Sequence, residues 1–152
     1  MVKVKENNKI ALINGPNLNL LGQREVSHYG VDTLNSIVTM MKKKLLNTGF
    51  ELLDFQSNHE GVLIDYIQEN MVSFIIINPA AYTHTSIAIK DALLAVNIPY
   101  VEVHLSNIYA REAMRKHSYF SDSAVGVISG LGKFVYLYAL DFAVQYLNSY
   151  QN

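Results

Sequence analysis

The feature that most constrains this chain is an unbroken apolar run at residues 73–77, Ser73-Phe74-Ile75-Ile76-Ile77, halted by Asn78-Pro79. A strand with no polar alternation has no face to give to water. Such a strand belongs in the middle of a parallel sheet, with helices packed on both sides.

The rest of the chain supplies that setting. Residues 9–14 read as a second short buried strand, ended by Gly15-Pro16. Strands are also expected at 50–55, 99–104 and 124–128, the last one short. Between them lie helical patterns. Leu34, Ile37, Val38, Met41 and Leu45 recur at helical spacing over 33–47, with Gly49 as the stop. Leu63, Tyr66 and Ile67 share a face over 60–70. A helix over 86–96 has Thr85 or Ser86 as its cap, a short one is expected at about 108–116, and a long final one runs from beyond Gly132 to about residue 148. Strand and helix alternate without repeat or linker. This gives an α/β fold: one flavodoxin-like, doubly wound, five-stranded parallel sheet in a single domain, residues 1–152. Residues 1–8 are expected to be a flexible extension. The N-terminal apolar run, Ile10 to Ile13, is too short for a signal peptide, and no segment is long and apolar enough to span a membrane. A cytoplasmic setting is the expectation.

In doubly wound sheets ligands bind outside the carboxyl ends of the strands, near the point where strand order reverses. The polar residues there are Asn14 and Asn17 after the first strand, Asn78, Tyr82, Thr83 and His84 after the third, and Glu102, His104 and Ser106 at the fourth. Three converging polar strand ends, two with histidines, read as a site. Glu102 and His104 are two apart, so they leave the same face of their strand. A carboxylate beside an imidazole fixes its tautomer and favours its charged form, which suits a general acid. The same pair also fits a histidine merely satisfied in a polar layer. His84, His104 and Glu102 together fit a metal site, although no ligand spacing supports one.

A long polar loop, 15–31, carries Arg24 and Tyr29. Loops of that length in compact domains are usually functional or mobile. A tyrosine is too weakly acidic to be an efficient base at neutral pH unless a cation such as Arg24 lies beside its phenolate. A lid over 22–30 would bring the two over the site. Arg111 and Arg115, spaced i, i+4, repel mildly, and either an anionic ligand or Glu112 would relieve them.

Composition narrows the function further. The chain has no cysteine, which removes disulfides, zinc–thiolate sites and cysteine nucleophiles. Twelve Lys+Arg against 13 Asp+Glu leave no basic excess for nucleic acid. No GxxxxGK[ST], GxGxxG or GxSxG motif is present. Charged residues make up only 16%, against about 25% in an ordinary domain. Either the core is large or other subunits cover part of the surface.

Taken together, these segments resemble the type II 3-dehydroquinases, the small, dodecameric class of 3-dehydroquinate dehydratases. The resemblance rests on Asn14-Gly15-Pro16-Asn17-Leu18-Asn19-Leu20-Leu21-Gly22, Arg24-Glu25 with Tyr29-Gly30, Gln56-Ser57-Asn58, Asn78-Pro79 with Thr83-His84-Thr85-Ser86, and Glu102-Val103-His104-Leu105-Ser106-Asn107. It continues through Ala110-Arg111-Glu112, Arg115-Lys116-His117-Ser118-Tyr119 and Gly126-Val127-Ile128 with Gly130-Leu131-Gly132, and covers about residues 10–147 in order. It implies cofactor-free, metal-free dehydration of 3-dehydroquinate to 3-dehydroshikimate by anti elimination through an enolate, in aromatic biosynthesis or quinate breakdown. Tyr29 matches the base and Arg24 the residue that keeps it ionised. Asn17 matches the group that stabilises the enolate through a water. His104 matches the acid, oriented by Glu102. Asn78 and the backbone amides of Leu105 and Ser106 match the carboxylate site. His84, Arg115 and Asp91 match the groups that meet the ring hydroxyls, Asp91 from a neighbouring subunit, and Arg111 matches an arginine near the lid.

Two departures stand out: Val26 where many members have proline, and Ala80 where glycine is usual. The competing class is a flavodoxin-like binding domain that holds a polyhydroxy acid without turnover. Such a domain has no need of an Arg24/Tyr29 pair. Finally, Phe134-Val135-Tyr136-Leu137-Tyr138-Ala139-Leu140 leaves the last helix no polar face over two turns, which implies cover on several sides. The resemblance gives that cover a form, a trimer with shared sites and a homododecamer of four trimers.

Overall fold

The structure is a computed structural model, and it describes residues 7–23 and 31–150. Five strands form one sheet: β1 (Lys9–Asn14), β2 (Glu51–Gln56), β3 (Phe74–Asn78), β4 (Tyr100–His104) and β5 (Gly126–Ser129). Every pairing is parallel and the order is β2-β1-β3-β4-β5. This is the flavodoxin-like order, which reverses between β1 and β3. The helices are α1 (Leu34–Lys44), α2 (Glu60–Glu69), α3 (Ile87–Val96) and α4 (Phe134–Tyr150).

The period-2 alternation of side chains along a strand splits the core in two. Ile10, Leu12, Phe74, Ile76, Val101 and Val103 point to one face and meet Ile37 and Met41 of α1 and Val135, Ala139 and Leu140 of α4. Ala11, Ile13, Ile75, Ile77 and Tyr100 point to the other and meet Leu63 and Ile67 of α2 and Ile89 and Leu93 of α3. All five residues of β3 are buried, as expected of the central strand. Truncating Phe74 to alanine there would cost about 3–5 kcal/mol.

Local chemistry sets the helix starts. The Thr33 side chain accepts from Ser36 N at the start of α1, and the Ser86 hydroxyl accepts from Ile89 N at the start of α3. One expected element is different. Residues 108–116 are not one helix but two 3-10 turns, Ile108–Ala110 and Ala113–Lys116. Arg111 and Glu112 between them have extended backbone (φ −98°, ψ −178° and φ −59°, ψ 157°), so no helical ladder can cross. The expected N-terminal extension lies outside the described residues up to position 6. Among the described residues no helix is long and apolar enough to cross a membrane.

Candidate active site

At the reversal point the ends of β1 and β3 lie side by side, with Asn14 opposite Asn78. Gly15 N–H donates to the Asn78 carbonyl at 2.8 Å. A Cβ on Gly15 would lie 2.3 Å from the Pro79 carbonyl oxygen, so only glycine lets the two loops approach this closely. The chain then turns through Asn17 in the left-handed region, φ 68°. Asn17 N–H donates to Asn58 Oδ1 (3.0 Å), and that oxygen also accepts from Gln56 Nε2 (3.1 Å). The motif after β2 therefore carries the loop after β1.

A cavity opens over the carboxyl ends of β1, β3 and β4. Asn17, Asn78, His84 and His104 line it, and so do Leu105 and Ser106 beyond β4. Arg111 and Arg115 close one side. The backbone carbonyls of residues 104–106 are engaged on the β5 side, by Gly130 N, Gly132 N and the Ser129 hydroxyl respectively.

His104 Nε2 lies 2.7 Å from Glu102 Oε1, and both side chains are buried. Glu102 does not touch the cavity; it lies wholly inside, behind the imidazole. Burial pushes its carboxyl upward, but hydrogen bonds from His104, Ser118 and Ser121 outweigh that and hold it below the ordinary carboxylate value. The serine hydroxyls stand 2.6 and 2.5 Å from its two oxygens.

His84 is held differently. Its Nδ1 is 2.6 Å from the His117 carbonyl, a contact only an N–H can make, so Nε2 is left as the acceptor when the ring is neutral. Burial lowers its pKa, the His117 hydrogen bond opposes that, and the neighbouring His104 and Arg115 push it down again. Of the two histidines of the cavity, one thus faces a backbone carbonyl and the other a carboxylate.

Asn78 Nδ2 donates to the Tyr136 hydroxyl (2.8 Å), which in turn donates to Asn14 Oδ1 (2.7 Å). Asn78 Oδ1 accepts from Ala80 N (3.1 Å). These bonds fix which end of the Asn78 amide faces which way. Burial pushes the Tyr136 hydroxyl far above its ordinary pKa, so it stays neutral.

The expected residues divide as follows. Asn17, Asn78, His84, His104, Leu105, Ser106, Arg111 and Arg115 come together at the cavity. Asp91 is exposed on α3 and does not line it. Arg24, Val26 and Tyr29, with the rest of the expected lid from 24 to 30, lie outside the described residues. The two arginines near β4 do not share a helix, and Glu112 sits between them, 2.6 Å from Arg115 Nε and 4.0 Å from Arg111 Nε. Among the described residues no group of three His, Asp or Glu is placed to hold a metal ion. Sequence reasoning gave no role to Ser118, Ser121 or Tyr136. The signal for the serines was weak, two hydroxyls flanking the buried Phe120. That for Tyr136 was no stronger: it is one of two hydroxyls, with Tyr138, in an otherwise apolar stretch.

Comparison with known proteins agrees with this geometry. The family described as dehydroquinase class II matches residues 8–144. A 3-dehydroquinate dehydratase of Shewanella loihica is 61% identical over 136 residues, 90% of this chain and 91% of that protein. A catabolic 3-dehydroquinase of Verticillium alfalfae is 55% identical over 91% of this chain and 94% of its own. The crystal structure of a type II dehydroquinase from Butyrivibrio crossotus superposes with a TM-score of 0.86 at 44% identity, covering 93% of this chain and 98% of that one.

Proposed function

The chain belongs to the class II dehydroquinases, and from that membership we propose how its own residues carry out the family's dehydration of 3-dehydroquinate. Activity as a 3-dehydroquinate dehydratase follows from the family; the assignment of roles is our reading. The observation that carries it is the Glu102–His104 pair, buried at the end of β4 with the imidazole lining the cavity.

The substrate is a β-hydroxyketone. Tyr29, ionised beside Arg24, removes a proton next to the ketone. The C–H electron pair moves toward the carbonyl carbon, and the ketone oxygen becomes an enolate oxygen. Asn17 stabilises that oxygen through a water. The enolate then collapses, a carbon–carbon double bond forms, and the hydroxyl leaves as water with a proton from His104. Base and acid work on opposite sides of the ring, and each such step is typically worth about 10²–10⁴ in rate. The Asn78 amide and the backbone amides of Leu105 and Ser106 hold the substrate carboxylate. Neutral His84 offers Nε2 to a ring hydroxyl, with Arg115 beside it and Arg111 near the lid. No cofactor takes part. A cytoplasmic enzyme suits this charged polyhydroxy substrate, and residues 1–152 act as one catalytic domain.

Asp91 serves a neighbour's site in our reading. It lies on the outer face of α3 between Ile87 and Leu94, both half-exposed (54% and 50%), at i, i+4, i+7 spacing. A carboxylate framed by two uncovered apolar side chains fits a subunit contact in a trimer, and four trimers make the dodecamer.

Purified protein with 3-dehydroquinate should generate the ultraviolet absorbance of a conjugated enone acid, untouched by chelators. His104→Ala should lose at least about 10²-fold in turnover. Mixing Asp91→Ala with His104→Ala subunits should restore some activity through mixed trimers. Binding without turnover would instead favour the polyhydroxy-acid binding module.

A further inference from the structure

The segment that follows the second 3-10 turn, residues 117–121, touches His84 and the carboxylate partner of His104 without lining the cavity. His117 supplies the carbonyl that fixes His84, while Ser118 and Ser121 supply the hydroxyls that reach Glu102. We infer that Ser118 and Ser121 are positioning residues for the acid: they orient Glu102 and hold its carboxylate against His104, which gives its proton to the leaving hydroxyl. The inference rests on His104 being that acid.

The hydrogen bonds have a direction. The Ser118 oxygen accepts from Phe120 N (3.0 Å) and Ser121 N (3.3 Å). With its lone pairs facing two N–H donors, its proton is left for Glu102 Oε1, 2.6 Å away. That oxygen also takes the His104 Nε2 contact, and Oε2 takes the Ser121 hydroxyl. Two backbone N–H groups are thus relayed through one serine onto a carboxylate with no exposed surface.

The segment is pinned where this requires rigidity. The Phe120 side chain is fully buried in the core on the α2/α3 side. Its carbonyl accepts from the Tyr100 hydroxyl at 2.6 Å, and Tyr119 N donates to the Thr83 carbonyl at 3.1 Å. Lys90 of α3 bonds Asp122 just beyond (2.7 Å). A serine hydroxyl on so constrained a backbone holds one geometry.

Among the described residues, few titratable groups act on Glu102. His104 lies on its own strand, Tyr100 two residues before it and His84 on the turn after β3. Both serines lie within hydrogen-bond distance and neither carries charge. Removing their hydroxyls changes the solvation of Glu102 while every charge stays in place. A less stabilised carboxylate holds its proton more readily and supports an imidazolium less well.

The test is Ser118→Ala/Ser121→Ala with the pH profile of kcat/KM. The expected result is a fall of about tenfold at neutral pH, part of the acid's full contribution. The alkaline limb should move down by about one pH unit, with KM within about twofold because neither serine lines the cavity. Ser121→Thr, which keeps the hydroxyl, should restore the profile. A loss of thermal stability with the limb unmoved would overturn the inference and leave the serines a structural part only. If the double variant does not fold, Ser118→Ala and Ser121→Ala separately carry the same readout. His104→Ala run alongside separates the failures. Inactive His104→Ala with an unmoved serine profile defeats this inference alone; active His104→Ala defeats the acid assignment and this inference together.

Discussion

The two faces of the sheet each bring a buried polar network to the same cavity, and the networks differ in kind. On the α2/α3 face, in line with Tyr100, stand Glu102 and His104 with Ser118 and Ser121: one charge, three donors. On the α1/α4 face, Asn14 continues the line of Ile10 and Leu12 on β1, and Asn78 that of Phe74 and Ile76 on β3. These two amides share the Tyr136 hydroxyl, and all three groups are neutral. The charged network must change protonation to work, and the neutral one must not. A group meant to give up a proton needs a poised charge beside it. A group meant to hold a carboxylate needs only a fixed N–H. One fold supplies both because side chains at the strand ends leave on opposite faces.

The largest break in this comparison comes from Glu102→Gln. It should cost about 3 kcal/mol at neutral pH, because a buried charged partner is removed from His104 and two serines. The cost should depend on pH. Glu102 sits below its ordinary value near 4.5 in the folded protein. Its stabilisation is therefore present above that value and is lost as pH falls through the lowered one. Denaturant titrations of parent and variant should converge in acid and diverge toward neutrality. A gap that stays constant from about pH 3 to pH 7 would show that the carboxylate contributes by shape alone.

Tyr136→Phe tests the other face. The ring stays and the hydroxyl goes, leaving Asn78 Nδ2 and Asn14 Oδ1 without it. A loss of about 1–3 kcal/mol follows from two buried polar groups left unpaired. Because burial pushes the Tyr136 hydroxyl far upward, it does not titrate across the working range, and this loss should be the same at about pH 5 and pH 8. Binding should weaken through a loosened Asn78 amide, so KM rises while kcat changes little. A fall confined to kcat would separate Tyr136 from substrate holding.

Legibility in the sequence followed the same division. Apolar runs marked the inner strands β1 and β3, because a strand covered on both faces has little freedom in composition. The strand-end residues Asn14, Asn78, Glu102 and His104 were visible because a parallel α/β sheet has one edge where ligands bind. The supports were not visible. Ser118 and Ser121 lie 16 and 19 residues from Glu102, and Tyr136 lies 58 from Asn78 and 122 from Asn14. No local periodicity reports contacts at such separations. Tyr136 was also hidden by its setting, since a helix from Phe134 to Leu140 reads as apolar whether or not one hydroxyl turns inward. The misplaced helix over 108–116 has a different cause: its composition permits a helix, and the extended backbone at Arg111 and Glu112 is a tertiary choice.

The smallest effect sharpens the neutral face. Ala80 donates its N–H to Asn78 Oδ1 from a left-handed backbone, φ 52°. For a residue with a Cβ that region costs about 1–2 kcal/mol, and glycine reaches it freely. Ala80→Gly removes that strain but adds backbone freedom to the unfolded chain, which takes back about 0.5–1 kcal/mol. The net expectation is a gain of roughly 0.5–1 kcal/mol, seen as a small rise in melting temperature. The Asn78 contact is made by backbone, so the substitution leaves the donor in place. Ala80 also lines the cavity, and losing its methyl should change KM only slightly. A lower melting temperature would mean that the Ala80 methyl packs well enough, against the core on the α1/α4 side that it borders, to outweigh its strain. The rigidity of the Asn78 amide would then come partly from that packing, and not from the Tyr136 hydroxyl alone.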